Sequence, residues 1–306
     1  MPKADDSASH DGDSSASGRA WLAGLPDELA AQRRVMAGLV DFCEATPLAT
    51  AFLVGCSLGR GAGDALSDID SALGVAAAPG DAGAAEIHAV EARVAAALAE
   101  IGPVVDMLRH RYGPADRLLR RIFAQFADGT QLDLVVMADT ELHSRGGRPD
   151  FVLLYDQDRL PDAGTADAAY TVTGEQVREW AFLGWCALID MDKYLRRASL
   201  WEAHHRLNDA RHQIWALWAA SIGAMYPWHG LTQVLDNDPD DLPPGIEATV
   251  AGLDAAELRT AAIASAEILA SVSDAAARRW SGDLPLAMAD YVSGVLAGAR
   301  VRLTAV

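Results

Sequence analysis

Residues 51–70 read AFLVGCSLGRGAGDALSDID, and they decide the fold that the sequence predicts for the N-terminal half. The apolar run at 51–55 ends in glycine and is typical of a short buried strand. A glycine-rich turn follows at 56–66, and SDIDSALGVAA at 67–77 predicts a second strand. The domain is therefore predicted to contain two strands that are joined by a polar, glycine-rich turn.

Two aspartates lie at the start of the second strand, separated by one apolar residue. Because alternate residues of a strand point to the same face, Asp68 and Asp70 project together, and Ile69 turns into the core. Carboxylates this close repel each other unless a positive charge lies between them. Mg²⁺ can provide that charge, and it favours carboxylates combined with the phosphate oxygens of a substrate. The pair therefore predicts a magnesium site that faces phosphates.

The turn before this strand is suited to bind those phosphates. Gly55 lets the backbone approach a ligand closely, and exposed amides can surround phosphate oxygens together with the hydroxyl of Ser57. Cys56 and Arg60 belong to the same turn, and we include them in the predicted nucleotide-binding group. The sequence thus predicts a phosphate-binding turn that faces a metal-binding strand.

A third aspartate interrupts a later apolar run. Asp133 is the only charged residue in QLDLVV (131–136), and burying it without a partner would be costly. If its strand lies beside the strand of Asp68 and Asp70, three carboxylates meet at one place. The third carboxylate could then complete the metal site or act as general base on an acceptor hydroxyl.

These segments together resemble a known superfamily. The pattern GCSLGRG at 55–61 and SDID at 67–70, followed by FADGTQLDLVV at 126–136, resembles the polymerase-β-type nucleotidyltransferases. Residues 179–211 resemble the helical domain of antibiotic nucleotidyltransferases of the aminoglycoside and lincosamide kind. The resemblance covers about residues 30–215, and its catalytic motif is more specific than its helical part.

The resemblance implies an enzyme that uses Mg²⁺ to move a nucleoside monophosphate onto a hydroxyl of a small molecule, with release of pyrophosphate. ATP is the default donor, another nucleoside triphosphate is the alternative, and aminoglycoside-like antibiotics are the acceptor class that it indicates. It implies that Asp68 and Asp70 hold the metal, that Ser57 contacts the triphosphate, and that Asp133 is the third carboxylate. The family usually has glycine directly before the motif serine, where this chain has Cys56. Homodimers are common among such enzymes.

The remaining segments predict an α/β domain. Residues 26–45 and 84–101 have helical spacing, and residues 103–108 are strand-like. Residues 120–137 contain two alternating apolar stretches joined through ADGT, which is the signal of a β-hairpin. These helices and strands would alternate around a mixed sheet, and the α/β domain that they form would end near residue 160.

The C-terminal half predicts an all-α domain. Seven of the eight tryptophans fall there, and amphipathic patterns of helical period replace the strand-like alternation. These patterns cover residues 174–198, 199–226, 253–273 and 284–301. We therefore predict a disordered tail at 1–20, a catalytic domain at 21–165 and a helical domain at 166–306, with the active site between the two domains.

Lys193 is the one cation outside the turn that we include in the nucleotide-binding group. It lies on a predicted helix of the second domain together with several arginines. If that helix face closes over the cleft, its ammonium could neutralise the β- and γ-phosphates. The alternative is a solvated helix face, on which the cations pair with neighbouring acids.

Composition limits the classes of partner. The formal net charge of −18 disfavours nonspecific nucleic-acid binding and favours cationic partners, although it could simply aid solubility. No apolar run reaches the roughly 18–20 residues of a membrane span, and the polar N-terminus lacks the apolar region of a signal peptide. Three cysteines, far apart in sequence, suggest neither a disulfide framework nor a zinc site. We expect a cytoplasmic protein with a small acceptor and no membrane partner.

Three other functions remain open at this stage. The same chemistry could act on a protein or a tRNA end, as in nucleotidyltransferase toxins, although the acidic charge speaks against tRNA. Cys56 leaves open a catalytically weak nucleotide-binding or regulatory protein. The glycines at 59, 61 and 63 could indicate a dinucleotide site, but the chain returns to a strand instead of opening a long helix.

Overall fold

The computed structural model of the chain describes residues 13–112, 119–144, 150–157, 172–238 and 240–298. The chain divides into two compact units, residues 1–169 and 170–306, and each is described by itself. The predicted boundary between residues 165 and 166 falls outside the described residues. The predicted placement of an active site between the domains stays a prediction.

A six-stranded sheet forms the centre of the first unit. Its strands are β1 Ala49–Val54, β2 Ile69–Val75, β3 Val104–Tyr112, β4 Leu119–Phe126, β5 Gln131–Ala138 and β6 Val152–Asp156. Their spatial order is β3-β4-β5-β2-β1-β6. The strands β2 and β5 run parallel, and the other neighbouring pairs are antiparallel. This mixed sheet confirms the α/β class predicted for this half.

Helices pack on both faces of this sheet. Those described in the first unit are α1 Asp13–Ala23, α2 Ala30–Glu44, α3 Cys56–Gly59, α4 Asp81–Ile101 and α5 Asp139–Ser144. Ile122 of β4 and Leu132 and Leu134 of β5 are fully buried in one core together with apolar residues of α2 and α4. The residues that alternate with them, among them Asp133, therefore point to the opposite face.

The predicted hairpin is formed by β4 and β5. Gly129 in its turn has a φ of 96°, a conformation that residues with a Cβ rarely adopt. The backbone N–H of Thr130 donates to Oδ1 of Asp128 at 3.1 Å, and that of Phe126 donates to the carbonyl of Thr130 at 2.9 Å. Arg34 of α2 donates to the other oxygen of Asp128 at 2.8 Å. The Asp-Gly turn therefore fixes the register of β4 against β5.

The N-terminus differs from the disordered tail predicted over residues 1–20. Residues 1–12 lie outside the described part, but α1 begins at Asp13 and packs along β6. Arg19 of this helix donates to the carboxylate of Asp41 on α2 at 2.6 Å. The prediction was wrong for the described part of the tail because it rested on composition, which does not reveal contacts with distant residues.

Smaller differences concern the ends of elements. The helix expected at 84–101 begins three residues earlier, at Asp81. The strand expected at 103–108 continues to Tyr112. For these two elements the type was predicted and the boundary moved by a few residues, as is common where helices and strands end. The single turn of α3 within the glycine-rich turn at 56–66 was not predicted.

The second unit is helical, as predicted. Its helices are α6 Gly174–Arg196, α7 Leu200–Ile222, α8 Leu231–Asn237, α9 Ala255–Trp280 and α10 Leu286–Leu296. Thr173 starts α6 with a capping box, in which its hydroxyl accepts from the backbone N–H of Gln176 at 3.2 Å. No helix in the described ranges is long and apolar enough to cross a membrane.

Most tryptophans of this unit contribute to its core. Trp185 and Trp215 are buried, and Trp180 and Trp218 pack against the same cluster of aliphatic residues. Trp201 does not, because 76% of its surface is exposed at the start of α7. The predicted aromatic core is therefore present, and its members follow the buried faces of α6 and α7.

One buried charge ties α4 to the sheet. Glu91 of α4 is fully buried, and Nε and Nη2 of Arg109 on β3 each donate to one of its carboxylate oxygens at 2.7 Å. Arg120 of β4 lies 3.6 Å from the same carboxylate. Burial alone would raise the pKa of Glu91, but the hydrogen bonds from Arg109 and the two positive charges outweigh it and lower that pKa.

We expect Glu91→Gln to reduce the free energy of unfolding at pH 7 by about 3 kcal/mol, because it leaves two guanidinium groups without their buried partner. The matched change Glu100→Gln, on the exposed face of the same helix, should change it little. Since the folded-state pKa of Glu91 is lowered, its contribution is present above the unfolded value of 4.5 and is lost as the pH falls through the folded value. Urea unfolding at pH 7 and at pH 3 measures both effects, and an equal loss at the two pH values would contradict this assignment.

Candidate active site

The parallel pairing of β2 and β5 brings two of the predicted aspartates side by side. Asp70 is in register with Asp133, and the preceding residues Ile69 and Leu132, also in register, are both fully buried. Side chains that are paired in register share a face of the sheet, so both carboxylates project away from the core. The strand of Asp133 therefore lies where the sequence reasoning required it.

Asp68 precedes β2 by one residue and is exposed. Burial raises the pKa of Asp70, and the negative charges of Asp68 and Asp133 raise it further, against the opposing effects of the Cys56 thiol and Arg121. The charges of Asp68 and Asp133 therefore both act on Asp70. The raised pKa of Asp70 is due first to its burial and then to these two neighbouring carboxylates.

The third carboxylate has a cationic partner that the sequence reasoning missed. Nε of Arg121 donates to Oδ1 of Asp133 at 2.6 Å, and Nη2 of the same guanidinium donates to Oδ2. The side chain of Asp133 is 15% exposed and that of Arg121 is 30% exposed. The register of the hairpin could have revealed this partner. Phe123 pairs with Asp133, and Arg121 lies two residues before Phe123 on the same face of β4.

Cys56 occupies an unusual place in the turn. Its φ is 54°, in the left-handed region that favours glycine, and its thiol hydrogen-bonds to the carboxylate of Asp70. Burial raises the pKa of Cys56 strongly, and the charge of Asp70 raises it further, so the group is a thiol at neutral pH. The backbone N–H of Gly55 donates to the carbonyl of Asp70 at 2.9 Å. The turn is therefore tied to the aspartate strand at two points.

Two glycines of the turn are required by a neighbouring segment. A Cβ on Gly59 would lie 1.9 Å from the carbonyl oxygen of Asp150, and one on Gly55 would lie 2.7 Å from the ring of Phe151. Arg60 also faces this segment, since its Nη1 lies 3.6 Å from Oδ2 of the buried Asp150. The structure thus gives these glycines a packing role, whether or not phosphates also approach them.

The segment that leads into Asp68 is held by a buried glutamine. Gln32 of α2 is 2% exposed, and its Nε2 donates to the carbonyls of Ser67 at 3.0 Å and Ala65 at 3.2 Å. Within the segment, the backbone N–H of Asp64 donates to the hydroxyl of Ser67 at 2.9 Å. Gln32 was not predicted, because nothing in α2 marks a residue whose partner lies 35 positions further along the chain.

The other two predicted nucleotide contacts are not brought to the aspartates by any described interaction. Ser57 is partly buried in α3, and its carbonyl accepts from the backbone N–H of Ala62 at 2.9 Å. Lys193 belongs to the second unit, where its ammonium donates to Asp190 at 2.5 Å and lies 4.7 Å from the ring centre of Tyr194. Contacts of Ser57 and Lys193 with phosphates stay predictions.

The chemistry of these residues fits a divalent cation at Asp68 and Asp70. Both supply the carboxylate oxygens that Mg²⁺ prefers, and a cation there would oppose the repulsion that Asp68 and Asp133 exert on Asp70. Both oxygens of Asp133 already bond to Arg121. Over the described part of the chain, no three or more His, Cys, Asp and Glu side chains lie close enough to hold a metal ion as they stand.

We expect Gln32→Leu to weaken Mn²⁺ binding at least several-fold while the chain stays folded, because the segment before Asp68 loses its two anchoring hydrogen bonds. Gln32→Glu should be worse still, since a carboxylate would face backbone carbonyls. The control is Gln213→Leu, which changes the same residue type in the second unit. Mn²⁺ titration at a temperature well below the unfolding midpoint measures this, and unchanged affinity in Gln32→Leu would show that the segment does not need the anchor.

Comparisons with known proteins give similarities of fold at low identity. No protein-family model matches the chain, and no curated protein resembles it closely enough in sequence to count as a relative. It is similar to the structure of an aminoglycoside 6-adenyltransferase from Bacillus subtilis, with a TM-score of 0.37 and 14% identity over 90% of this chain and 98% of that one. It is also similar to a nucleotidyltransferase-like protein from Exiguobacterium sibiricum 255-15, with a TM-score of 0.34 and 12% identity over 80% and 77% of the two chains. Neither similarity assigns a function or a substrate to this chain.

Proposed function

We propose that this protein is a Mg²⁺-dependent nucleotidyltransferase that moves a nucleoside monophosphate, AMP from ATP by default, onto a hydroxyl of a small molecule. The observation that carries the proposal is the register of Asp70 with Asp133, with Asp68 beside them and a glycine-rich turn bonded to the same strand. Carboxylates grouped in this way beside a glycine-rich turn are suited to metal-assisted phosphoryl transfer.

Each group of residues in the site would have its own role. Asp68 and Asp70 would hold Mg²⁺, which supplies positive charge to the triphosphate oxygens when bound. Gly55, Cys56, Ser57 and Arg60 form the turn that would contact those phosphates. The acceptor oxygen would then form a bond to the α-phosphorus as the bond from that phosphorus to the bridging oxygen breaks, and pyrophosphate would leave.

Asp133 is the proposed acceptor of the hydroxyl proton. Arg121 donates one hydrogen bond to each carboxylate oxygen of Asp133. Each oxygen keeps a second lone pair that can accept a proton. The guanidinium would fix the orientation of this carboxylate. Asp133 would therefore act as the general base, and Arg121 would be its positioning residue.

The proposal of a cationic acceptor rests on the net charge of the chain. The net charge of −18 would attract a molecule that carries ammonium groups and would repel a bare polyanion such as RNA. An aminoglycoside-like antibiotic has this chemistry, and antibiotic resistance would be the biological consequence. A cytoplasmic location and a homodimer complete the proposal, and Lys193 is its candidate phosphate contact in the second unit.

The test is pyrophosphate release with Mg-ATP against a panel of aminoglycosides, lincosamides, protein substrates and tRNA. We expect release that depends on a small cationic acceptor. Release that depends on a protein or on tRNA would change the acceptor class, and nucleotide binding without turnover would support a regulatory protein instead.

In the same assay we expect Asp70→Asn to lower turnover on the order of 100-fold or more, because it removes charge from the proposed metal site. Asp68→Asn should behave in the same way, whereas Asp274→Asn, an exposed aspartate of α9, should keep wild-type turnover. Asp133→Asn should also lose turnover but keep nucleotide binding. Turnover within a few-fold of wild type in the Asp68→Asn/Asp70→Asn double variant would refute the metal assignment.

A further inference from the structure

Arg121 is bonded to the carboxylate that a second metal ion would need as a ligand. Many phosphoryl-transfer sites use two divalent ions about 3.5–4 Å apart, held by carboxylates that the ions share. Here the carboxylate in register with Asp70 is bonded through both of its oxygens to one guanidinium. We propose that this site holds a single divalent cation, on Asp68 and Asp70, and that Arg121 supplies at Asp133 the positive charge of a second one. The inference rests on the proposed function.

The geometry of the pair favours a lasting interaction. Two parallel N–H donors of one planar group meet the two oxygens of one carboxylate, an arrangement that only arginine can make. Both partners lie on neighbouring strands of one hairpin whose register the Asp-Gly turn fixes. With Asp133 15% exposed and Arg121 30% exposed, the pair is better shielded from water than a surface ion pair.

Charge balance points the same way. Asp68, Asp70 and Asp133 together carry three negative charges when ionised, and one divalent cation with one guanidinium neutralises them. The charge of Arg121 also acts on Asp70, so the guanidinium and a cation at Asp70 would repel each other. A second divalent ion at Asp133 would have only the remaining lone pairs of its oxygens as ligands and would face the repulsion of the guanidinium at short range.

The experiment counts Mn²⁺ ions bound per chain, with Mn²⁺ alone as the probe, by the electron paramagnetic resonance signal of the free ion. We expect one ion in the wild type and none in Asp70→Asn. Asp133→Asn should still bind one ion, with an affinity within a few-fold of wild type. Arg121→Gln should bind two ions, because Asp133 is then free to serve as a ligand.

Two further variants test why a second ion would bind to Arg121→Gln. The cause could be that Asp133 has lost its partner, or only that the chain has lost one positive charge. Arg111→Gln removes one positive charge from the opposite face of the sheet, since Arg111 pairs in register with Arg120, whereas Arg121 pairs with His110, and it should bind one ion. Combining Arg121→Gln with Asp133→Asn should also return the count to one. Unfolding midpoints measured alongside show which variants are folded.

The outcomes distinguish this inference from the proposed function. Two ions in the wild type, one of which is lost in Asp133→Asn, would overturn the single-cation site and leave the nucleotidyltransferase proposal intact. One ion in a folded Arg121→Gln would also overturn it. No ion in the wild type would overturn both the inference and the metal assignment of the proposed function. If Arg121→Gln does not fold, Asp133→Asn decides, because a loss of bound Mn²⁺ there contradicts the inference.

Discussion

The parallel pairing of β2 with β5 is the constraint on which the candidate site depends. Parallel neighbours need a crossover connection, and here that connection contains α4, β3 and β4. The chain thus returns to the centre of the sheet with β5 directly beside β2, and the register that results places Asp133 next to Asp70. The salt bridges of Glu91 hold α4 of this crossover against β3, so a charge on the buried face supports the arrangement on the opposite face.

Repulsion among carboxylates explains the local chemistry around that pairing. Three acidic side chains at one edge of two strands would destabilise the fold unless something opposed their charge. The structure supplies a guanidinium at Asp133 and a thiol donor at Asp70, the latter from a residue held at positive φ. Backbone strain of this kind persists only where surrounding contacts maintain it, and such strain is frequent at functional sites.

Local patterns in the sequence were enough to predict β1 to β5, including the hairpin, and the helical second unit, but not the edge strand β6. The spacing of Asp68 and Asp70 and the lone charge at Asp133 marked the candidate site for the same reason, since each departs from a simple apolar pattern. The roles of Arg121 and Gln32 could not be predicted in this way. An arginine in a strand and a glutamine in a helix are ordinary residues, and only strand register and tertiary packing show what they contact.

The close approach of residues 150–151 to the glycine-rich turn has a consequence for engineering. Gly55 and Gly59 have no space for a side chain, so random libraries that vary the whole turn would consist mostly of misfolded proteins. Positions 57 and 60 already carry partly buried side chains. A library that probes the turn would therefore keep the two glycines fixed and diversify these two positions.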